Sequence, residues 1–327
     1  MAKEGAAIPV AIMGLGFIGR EIVKAALATP GLTVVGAIDS AKGLAGKKLE
    51  ALVPGAPDLT VQADAKSVLK ALKGGVLLLA TSSRFKEALP QIELAVKAGV
   101  HVISTCEELA FPWYSSEDEA DALDALAMEH EVTVLGTGVN PGFVLDRLAA
   151  TLGAVSGKIH RAHGVRIVDA STRREALQQK VGAGLSLEEF EARLDKGQLG
   201  HVGLAESAAL CAIGLGLDYD ELEEEISAIV AEEDVGKIKK GQVAGVYQRV
   251  RGFLEGVEVV DLELTIAVGM DQSYDFIEID GEPKVQVKVE GGYAGEPATA
   301  FAVVNAVSRV VSAEPGILTV LELPAGR

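Results

Sequence analysis

The sequence predicts an α/β protein of two domains, the first built on a parallel sheet and the second an α+β domain built on an open, mostly antiparallel sheet. Three observations support this fold class. Up to about residue 140, short aliphatic runs alternate with amphipathic stretches, whereas after Gly142 the runs are long and alternate between polar and apolar residues. The length of 327 residues also exceeds that of a usual single core.

Five short aliphatic runs in the first part predict parallel strands at residues 10–13, 33–38, 76–80, 100–103 and 132–135. Between them, apolar residues recur at spacings of three and four, which indicates amphipathic helices at residues 17–28, 65–72, 86–97 and 117–130. This alternation of strand and helix is typical of crossover units in a parallel sheet.

Four long runs of alternating polarity in the second part predict antiparallel strands at residues 243–255, 257–269, 274–280 and 284–290. Helical patterns at 187–195 and 202–215 interrupt this part. We therefore predict a first domain of residues 1–140, rejoined by a helix at about 297–312, and a second domain of residues 141–296 for substrate binding and dimerisation. A homodimer is expected because the alternating strands would otherwise expose an apolar face.

Composition narrows the class of protein and of partner. The 47 acidic and 30 basic residues give a formal net charge of −17, which would repel nucleic acid. No apolar run reaches the roughly 18 residues of a membrane span and no targeting signal is apparent, so a cytoplasmic protein is expected. Cys106 and Cys211 lack disulfide or zinc-site spacing, and His160 and His163 fall on opposite faces of a strand, so no metal site is predicted.

A GxGxxG motif, formed by Gly14, Gly16 and Gly19, directly follows the first predicted strand and opens an amphipathic helix. Glycines at this spacing allow a tight turn, close approach of the backbone to a pyrophosphate, and close packing of helix on strand. The second strand ends at Asp39, where an acid would accept hydrogen bonds from both ribose hydroxyls. The pattern predicts a Rossmann domain that binds a dinucleotide.

The same motif indicates which dinucleotide is preferred. Asp39 would repel a 2′-phosphate and therefore favours NAD, although Ser40 and Lys42 follow closely and could accommodate the phosphate of NADP. Phe17 and Ile18, within the motif, are also expected to contact the cofactor.

Polar residues follow three further predicted strands of the parallel sheet. They are Thr81, Ser82 and Ser83 after the run at 76–80, Glu107 and Glu108 after 100–103, and Asn140 after 132–135. Because ligands of such sheets bind at the carboxyl ends of the strands, these residues are candidates for cofactor contact and catalysis. Ordinary turn and cap chemistry is the alternative for the hydroxyl and amide residues, and an exposed surface acid is the alternative for each glutamate. Adjacent glutamates leaving a strand point apart, so one of the two is expected to face the cofactor.

Six segments carry a resemblance to a known family: 13–20 (MGLGFIGR), 80–84 (ATSSR), 104–109 (STCEEL), 136–143 (GTGVNPGF), 169–174 (DASTRR) and 295–299 (GEPAT). Together they resemble 2,4-diaminopentanoate dehydrogenase and the related native amine dehydrogenases. The resemblance implies a fold similar to dihydrodipicolinate reductase. It also implies NAD(P)-dependent oxidative deamination of a primary amine to a carbonyl compound and ammonia, reversible as reductive amination.

The resemblance also implies roles for individual residues. A glutamate of the third segment is the family's catalytic residue, which is carried over to Glu107 first and Glu108 second. Candidates for the substrate side are Phe143, Val144, Arg173, Arg174 and Thr299. A core position is the alternative for Phe143 and Val144, and a solvated pair is the alternative for the two arginines. The arginines suit a substrate carboxylate and the apolar pair suits an alkyl amine, so the amine itself stays open. A dihydrodipicolinate reductase-like enzyme and a non-catalytic NAD-sensing protein are the alternatives.

Overall fold

The computed structural model of the chain describes residues 7–171, 173–324 and 326. Two compact units are present: Met1–Phe143 with Ala294–Arg327, and Val144–Tyr293. The boundaries expected from the sequence, at residues 140 and 297, lie a few residues away.

The first unit begins with alternating strands and helices. They are β1 (Ile8–Met13), α1 (Phe17–Ala28), β2 (Leu32–Ile38), α2 (Ala65–Ala71), β3 (Val76–Leu79), α3 (Phe85–Lys97), β4 (His101–Ser104), α4 (Trp113–Glu129) and β5 (Thr133–Gly136). Every residue of β3 and β5 is buried, as expected of strands covered by helices on both faces.

The second unit contains the following elements: α5 (Arg147–Gly153), β6 (Ile159–Asp169), α6 (Glu175–Lys180), α7 (Leu187–Leu194), α8 (Leu204–Leu215), β7 (Glu221–Val230), β8 (Val243–Leu254), β9 (Val257–Ala267), β10 (Tyr274–Gly281) and β11 (Val285–Glu290). The chain then returns to the first unit as α9 (Gly295–Val310) and the short strand β12 (Gly316–Leu318).

The first sheet has the strand order β12-β5-β4-β3-β1-β2, and all its pairings are parallel. This confirms the predicted Rossmann-like domain. Helix α9 packs on α1, as expected for a segment that rejoins this unit. None of the helices within the described residues is long and apolar enough to cross a bilayer.

The second sheet has the order β11-β10-β6-β9-β8-β7. Four of its pairings are antiparallel, and β6 pairs with β9 in parallel, so the sheet is mixed and mostly antiparallel as predicted. Strand β7 had no counterpart in the sequence prediction, because acids dominate its first half and acids are unusual in strands. It forms an edge of the sheet, where its glutamates reach solvent.

One face of the second sheet is apolar and buried within the chain. Val250, Leu262 and Leu264 lie on it, and helices α8 and α5 pack against the sheet. The expectation that this sheet would leave an apolar face exposed is therefore wrong, because the apolar helix α8 covers that face. The opposite face carries mainly polar and aromatic side chains, among them Arg249 and Tyr247.

Candidate cofactor and catalytic site

Four neighbouring strands of the first sheet end at the same level. Met13 pairs with Leu79, Leu79 with Ser104, and Ser104 with Gly136. The segments that follow β1, β3, β4 and β5 are therefore brought side by side along one edge of the sheet. These segments contain the glycine motif, the Thr-Ser-Ser stretch, the two glutamates and Asn140, so the fold collects most of the predicted site residues of this unit.

Each glycine of the GxGxxG motif meets a different steric demand. Gly14 has φ +88°, and a Cβ there would lie 2.4 Å from the carbonyl oxygen of Ala80. A Cβ at Gly19 would lie 1.7 Å from the carbonyl oxygen of Gly14, so the start of α1 packs directly on the turn. At Gly16 a Cβ would meet no atom within 4 Å, which leaves open space in front of the backbone at the N-terminus of α1.

Asp39 is held in place by the backbone on either side of it. Its Oδ2 accepts a hydrogen bond from the Leu15 N–H at 2.7 Å, and its Oδ1 accepts one from the Ala41 N–H at 2.8 Å. Each carboxylate oxygen still has a lone pair for a hydroxyl group. Asp39 is therefore oriented toward the glycine turn before any ligand binds, and the residue after it, Ser40, is exposed.

These residues fit a dinucleotide. The open space at Gly16 and the first N–H groups of α1 would take the pyrophosphate, and Asp39 would take a ribose. Phe17 is 43% exposed and Ile18 is partly exposed at the start of the same helix, so both present surface beside the turn.

Two hydroxyl groups of the Thr-Ser-Ser stretch have partners on α3. Thr81 donates to Gln91 at 2.6 Å and Ser82 donates to Glu87 at 2.5 Å. Ser83 contributes its carbonyl oxygen, which accepts from the Cys106 thiol and from the Glu108 N–H, both at 3.3 Å. The stretch thus fixes the start of α3 and the turn after β4, and its contact with a cofactor stays a prediction.

The two adjacent glutamates have different surroundings. The Glu108 carboxylate accepts from the Phe85 N–H and from Arg84 Nη1, both at 2.7 Å, and so binds the N-terminus of α3. Glu107 is half-buried and opens the short 3-10 helix Glu108–Ala110. Glu108 is therefore held at the start of α3, and that one of the two glutamates faces a cofactor stays a prediction.

Cys106, next to the glutamates, is a structural residue. Its side chain is 1% exposed, and burial raises the pKa of its thiol to about 12. A thiol in this state keeps its proton at neutral pH and is a hydrogen-bond donor rather than a nucleophile.

The loop after β5 packs on the start of α9. Thr299 Oγ1 accepts a hydrogen bond from the Val139 N–H at 3.2 Å, and Asn140 is 8% exposed within this loop. Thr299, predicted as a substrate residue, thus has a structural contact within the first unit. Phe143 is half-buried and Val144 is fully buried, as a core residue would be.

Arg173 and Arg174, the other predicted substrate residues, follow β6 in the second unit. Arg173 is half-buried and Arg174 is exposed. Sequence reasoning missed a third arginine near them. Arg166 on β6 is 4% exposed and donates to Asp275 at 2.6 Å and to the carbonyl oxygen of Tyr293 at 2.8 Å. Its signal in the sequence is weak, because Arg166 looks like one more polar residue of an alternating strand.

Within the part of the chain that the structure describes, His163, Asp261 and Glu263 form the one group with the spacing of a metal site. Asp261, however, already accepts hydrogen bonds from Arg161 and Arg249, and Glu263 accepts one from a tyrosine hydroxyl. Two guanidinium groups beside Asp261 would repel a cation, so we interpret the group as an ion-pair network.

Comparison with known proteins identifies the family. A sequence profile described as the 2,4-diaminopentanoate dehydrogenase C-terminal domain matches residues 143–327, more than half of the chain. The chain belongs to the 2,4-diaminopentanoate dehydrogenase family. This confirms the resemblance seen in the sequence motifs.

Relatives of this 2,4-diaminopentanoate dehydrogenase family member match over nearly full length. The 2,4-diaminopentanoate dehydrogenase of Acetoanaerobium sticklandii is 28% identical over 332 residues, covering 98% of this chain and 94% of the relative. The solved amine dehydrogenase of Mycobacterium smegmatis has a TM-score of 0.87 at 22% identity and covers 99% of this chain and 98% of its own. A dihydrodipicolinate reductase from Paenisporosarcina sp. TG-14 has a TM-score of 0.55 at 13% identity, covers 96% and 97%, and confirms the predicted fold likeness.

Proposed function

We propose that this protein is an NAD(P)-dependent amine dehydrogenase that converts a primary amine into a carbonyl compound and ammonia, and that also runs the reverse reductive amination. The observation that carries this proposal is the position of Glu107, a half-buried carboxylate on the strand-end edge that also holds the glycine motif. Membership in the 2,4-diaminopentanoate dehydrogenase family supports the same reaction.

Glu107 would perform the proton transfers of this reaction. When bound, NAD(P) supplies the nicotinamide that accepts a hydride from the carbon bearing the amine. The Glu107 carboxylate would take a proton from the substrate ammonium and release it to solvent, so that the neutral amine is oxidised and the regained negative charge stabilises the resulting iminium. It would then take a proton from the water that attacks the iminium carbon and return that proton to the nitrogen. Ammonia leaves as the new hydroxyl group gives its proton to the carboxylate and the carbonyl forms.

The decisive assay is a substrate panel. Purified protein is mixed with NAD or NADP and with 2,4-diaminopentanoate or short alkyl amines. In the reverse direction it is mixed with NADH or NADPH and with ketones or aldehydes plus ammonia, or with a cyclic imine, and the absorbance of the reduced nicotinamide is followed in both directions. Turnover of an amine supports the proposal, and the preferred substrate separates a diamino acid held by Arg173 and Arg174 from an alkyl amine. Cofactor binding without any turnover would favour an NAD-sensing protein, and reduction of a cyclic imine alone would favour a dihydrodipicolinate reductase-like enzyme.

For cofactor choice we expect NAD to be used at least as well as NADP. Replacing Asp39 with alanine should weaken NAD binding more than NADP binding. NAD loses the hydrogen bonds between its ribose hydroxyls and Asp39, whereas for NADP this kind of loss is offset because the carboxylate no longer repels the 2′-phosphate. The measurement is the dissociation constant of each reduced cofactor by nicotinamide fluorescence. Asp39→Asn is the matched control, since it retains an oxygen for the Ala41 N–H but removes the charge. A larger loss for NADP would contradict the placement of Asp39.

We also propose that the protein is a homodimer. Because α8 covers the apolar face of the second sheet, we assign the contact to the opposite, polar and aromatic face, which includes Tyr247, Arg249 and Phe276. Sedimentation equilibrium at micromolar concentration should give twice the mass of the chain. A single species at the 33.9 kDa of one chain would contradict this proposal.

A further inference from the structure

The turn that carries Glu107 is bound to the start of α3 by four hydrogen bonds. Two go to the carbonyl oxygen of Ser83, from the Cys106 thiol and from the Glu108 N–H. The other two go to the Glu108 carboxylate, from the Phe85 N–H and from Arg84 Nη1. All four join the residues before and after Glu107 to residues 83–85, so the backbone of Glu107 is anchored to the turn after β3.

The opposite side of the same turn lies against β5. A Cβ placed on Gly136 would come within 2.3 Å of the carbonyl carbon of Leu109 and 2.5 Å of the Ala110 nitrogen. These are backbone atoms of the 3-10 helix that Glu107 opens, so the turn has no room to move toward β5. On the side toward α3, the Glu108 carboxylate holds the turn through its contacts with Arg84 and Phe85.

We propose that Glu108 is a positioning residue for Glu107: by binding the N-terminus of α3, it fixes the turn so that the Glu107 carboxylate stays directed to the reacting amine. This inference rests on the function proposed above. Glu108 is not the proton-transfer group in this scheme, because its carboxylate is turned to the N-terminus of α3, where one oxygen accepts from the Phe85 N–H and the other from Arg84 Nη1, each at 2.7 Å. A displacement of a reacting group by about 1 Å can cost on the order of 100-fold in rate, so the anchor matters although it lies outside the chemistry.

The test compares Glu108→Ala, Glu108→Gln and Glu107→Gln. We expect Glu108→Ala to lower kcat by about 10- to 100-fold, with little change in the dissociation constant of reduced nicotinamide measured by fluorescence. Glu108→Gln keeps an oxygen for the Phe85 N–H and loses the charge pair with Arg84, so it should recover most of the lost kcat. Circular dichroism and thermal unfolding show whether each variant is folded.

The pH profile of kcat separates positioning from catalysis. With Glu108→Ala, kcat should still fall on the acid side, because the Glu107 base is present, and only the plateau should drop. With Glu107→Gln this acid-side fall should disappear.

A second pair of variants tests the anchoring of the turn without changing either glutamate. Cys106→Ser keeps a donor for the Ser83 carbonyl oxygen and should have a higher kcat than Cys106→Ala.

Three results would overturn the inference. A folded Glu108→Ala variant with parental kcat would show that the anchor is unnecessary. Loss of the acid-side fall in Glu108→Ala, with its retention in Glu107→Gln, would make Glu108 the base. An equal loss of kcat in Glu108→Gln and Glu108→Ala would mean that the contact with Phe85 has no positioning effect. If Glu107→Gln and Glu108→Gln both turn over amine like the parent, the mechanism proposed above fails instead, because neither carboxylate is then the proton-transfer group.

Discussion

Replacing Glu107 with glutamine is expected to lower turnover with amine by about 10²- to 10⁴-fold, the usual contribution of a positioned proton-transfer group. Glutamine keeps the size and most hydrogen bonding of the side chain but can neither accept the proton nor stabilise a cationic iminium. The measurement is kcat with saturating amine and NAD, together with the affinity for NAD. Affinity should stay near that of the parent, because the glycine motif and Asp39 lie on other strands of the same edge.

Glu108→Gln is the matched control for this prediction, since it makes the same chemical change one residue away. It should reduce turnover far less than Glu107→Gln. Parental turnover in Glu107→Gln combined with an inactive Glu108→Gln would transfer the assignment to Glu108. Full activity in both variants would rule out either carboxylate as the proton-transfer group.

Replacing Asp275 with alanine is expected to lower the free energy of unfolding by about 3–5 kcal/mol, because it leaves the guanidinium of Arg166 buried without a counter-charge. Arg166 and Asp275 are 4% and 2% exposed, and the second oxygen of Asp275 accepts from the Tyr293 N–H at 2.7 Å. Burial already lowers the pKa of Arg166, and Asp275 opposes that shift. The measurement is the urea unfolding curve of the parent and the variant.

Two further variants show whether the buried charge is the cause of this loss. Asp234→Ala removes an exposed pair with Lys239 and should leave the urea midpoint nearly unchanged. The double variant Arg166→Met with Asp275→Leu removes both charges and should recover part of the lost stability. Recovery would be incomplete because the main chain of Tyr293 loses its hydrogen bonds with Arg166 and Asp275. If the double variant is no more stable than Asp275→Ala, the unpaired charge is not the reason.

The first sheet was predictable because its strands carry a local signal. Segments such as β3, with four consecutive aliphatic residues, are buried on both faces, and short aliphatic runs between helical patterns indicate such strands. The glycine motif was predictable for a similar reason. The close contact between Gly14 and Gly19, which leaves no room for a side chain, arises within one strand, turn and helix.

The contacts around the glutamates were not predictable from local patterns. Glu108 and Phe85 lie 23 positions apart, and they meet only because β3 and β4 are neighbours whose ends align. The sequence therefore indicated that the two glutamates would differ, but not which one binds α3. In the second unit, the apolar sequence of α8 indicates that this helix is buried, but it does not indicate which surface the helix packs on. The packing of α8 on the second sheet was therefore not predicted.

The parallel pairing of β6 with β9 has a consequence for how the second unit folds. Strands β7, β8 and β9 follow one another in the chain and pair as neighbours, so the pairings of this meander are between consecutive strands. Strand β6 precedes them, yet Ala162 pairs with Val260 and also with Ile279, far along the chain. Contacts that close such long loops are slow to form. We therefore expect the docking of β6 between the β7-β8-β9 meander and the antiparallel pair β10-β11 to limit the folding rate of this unit.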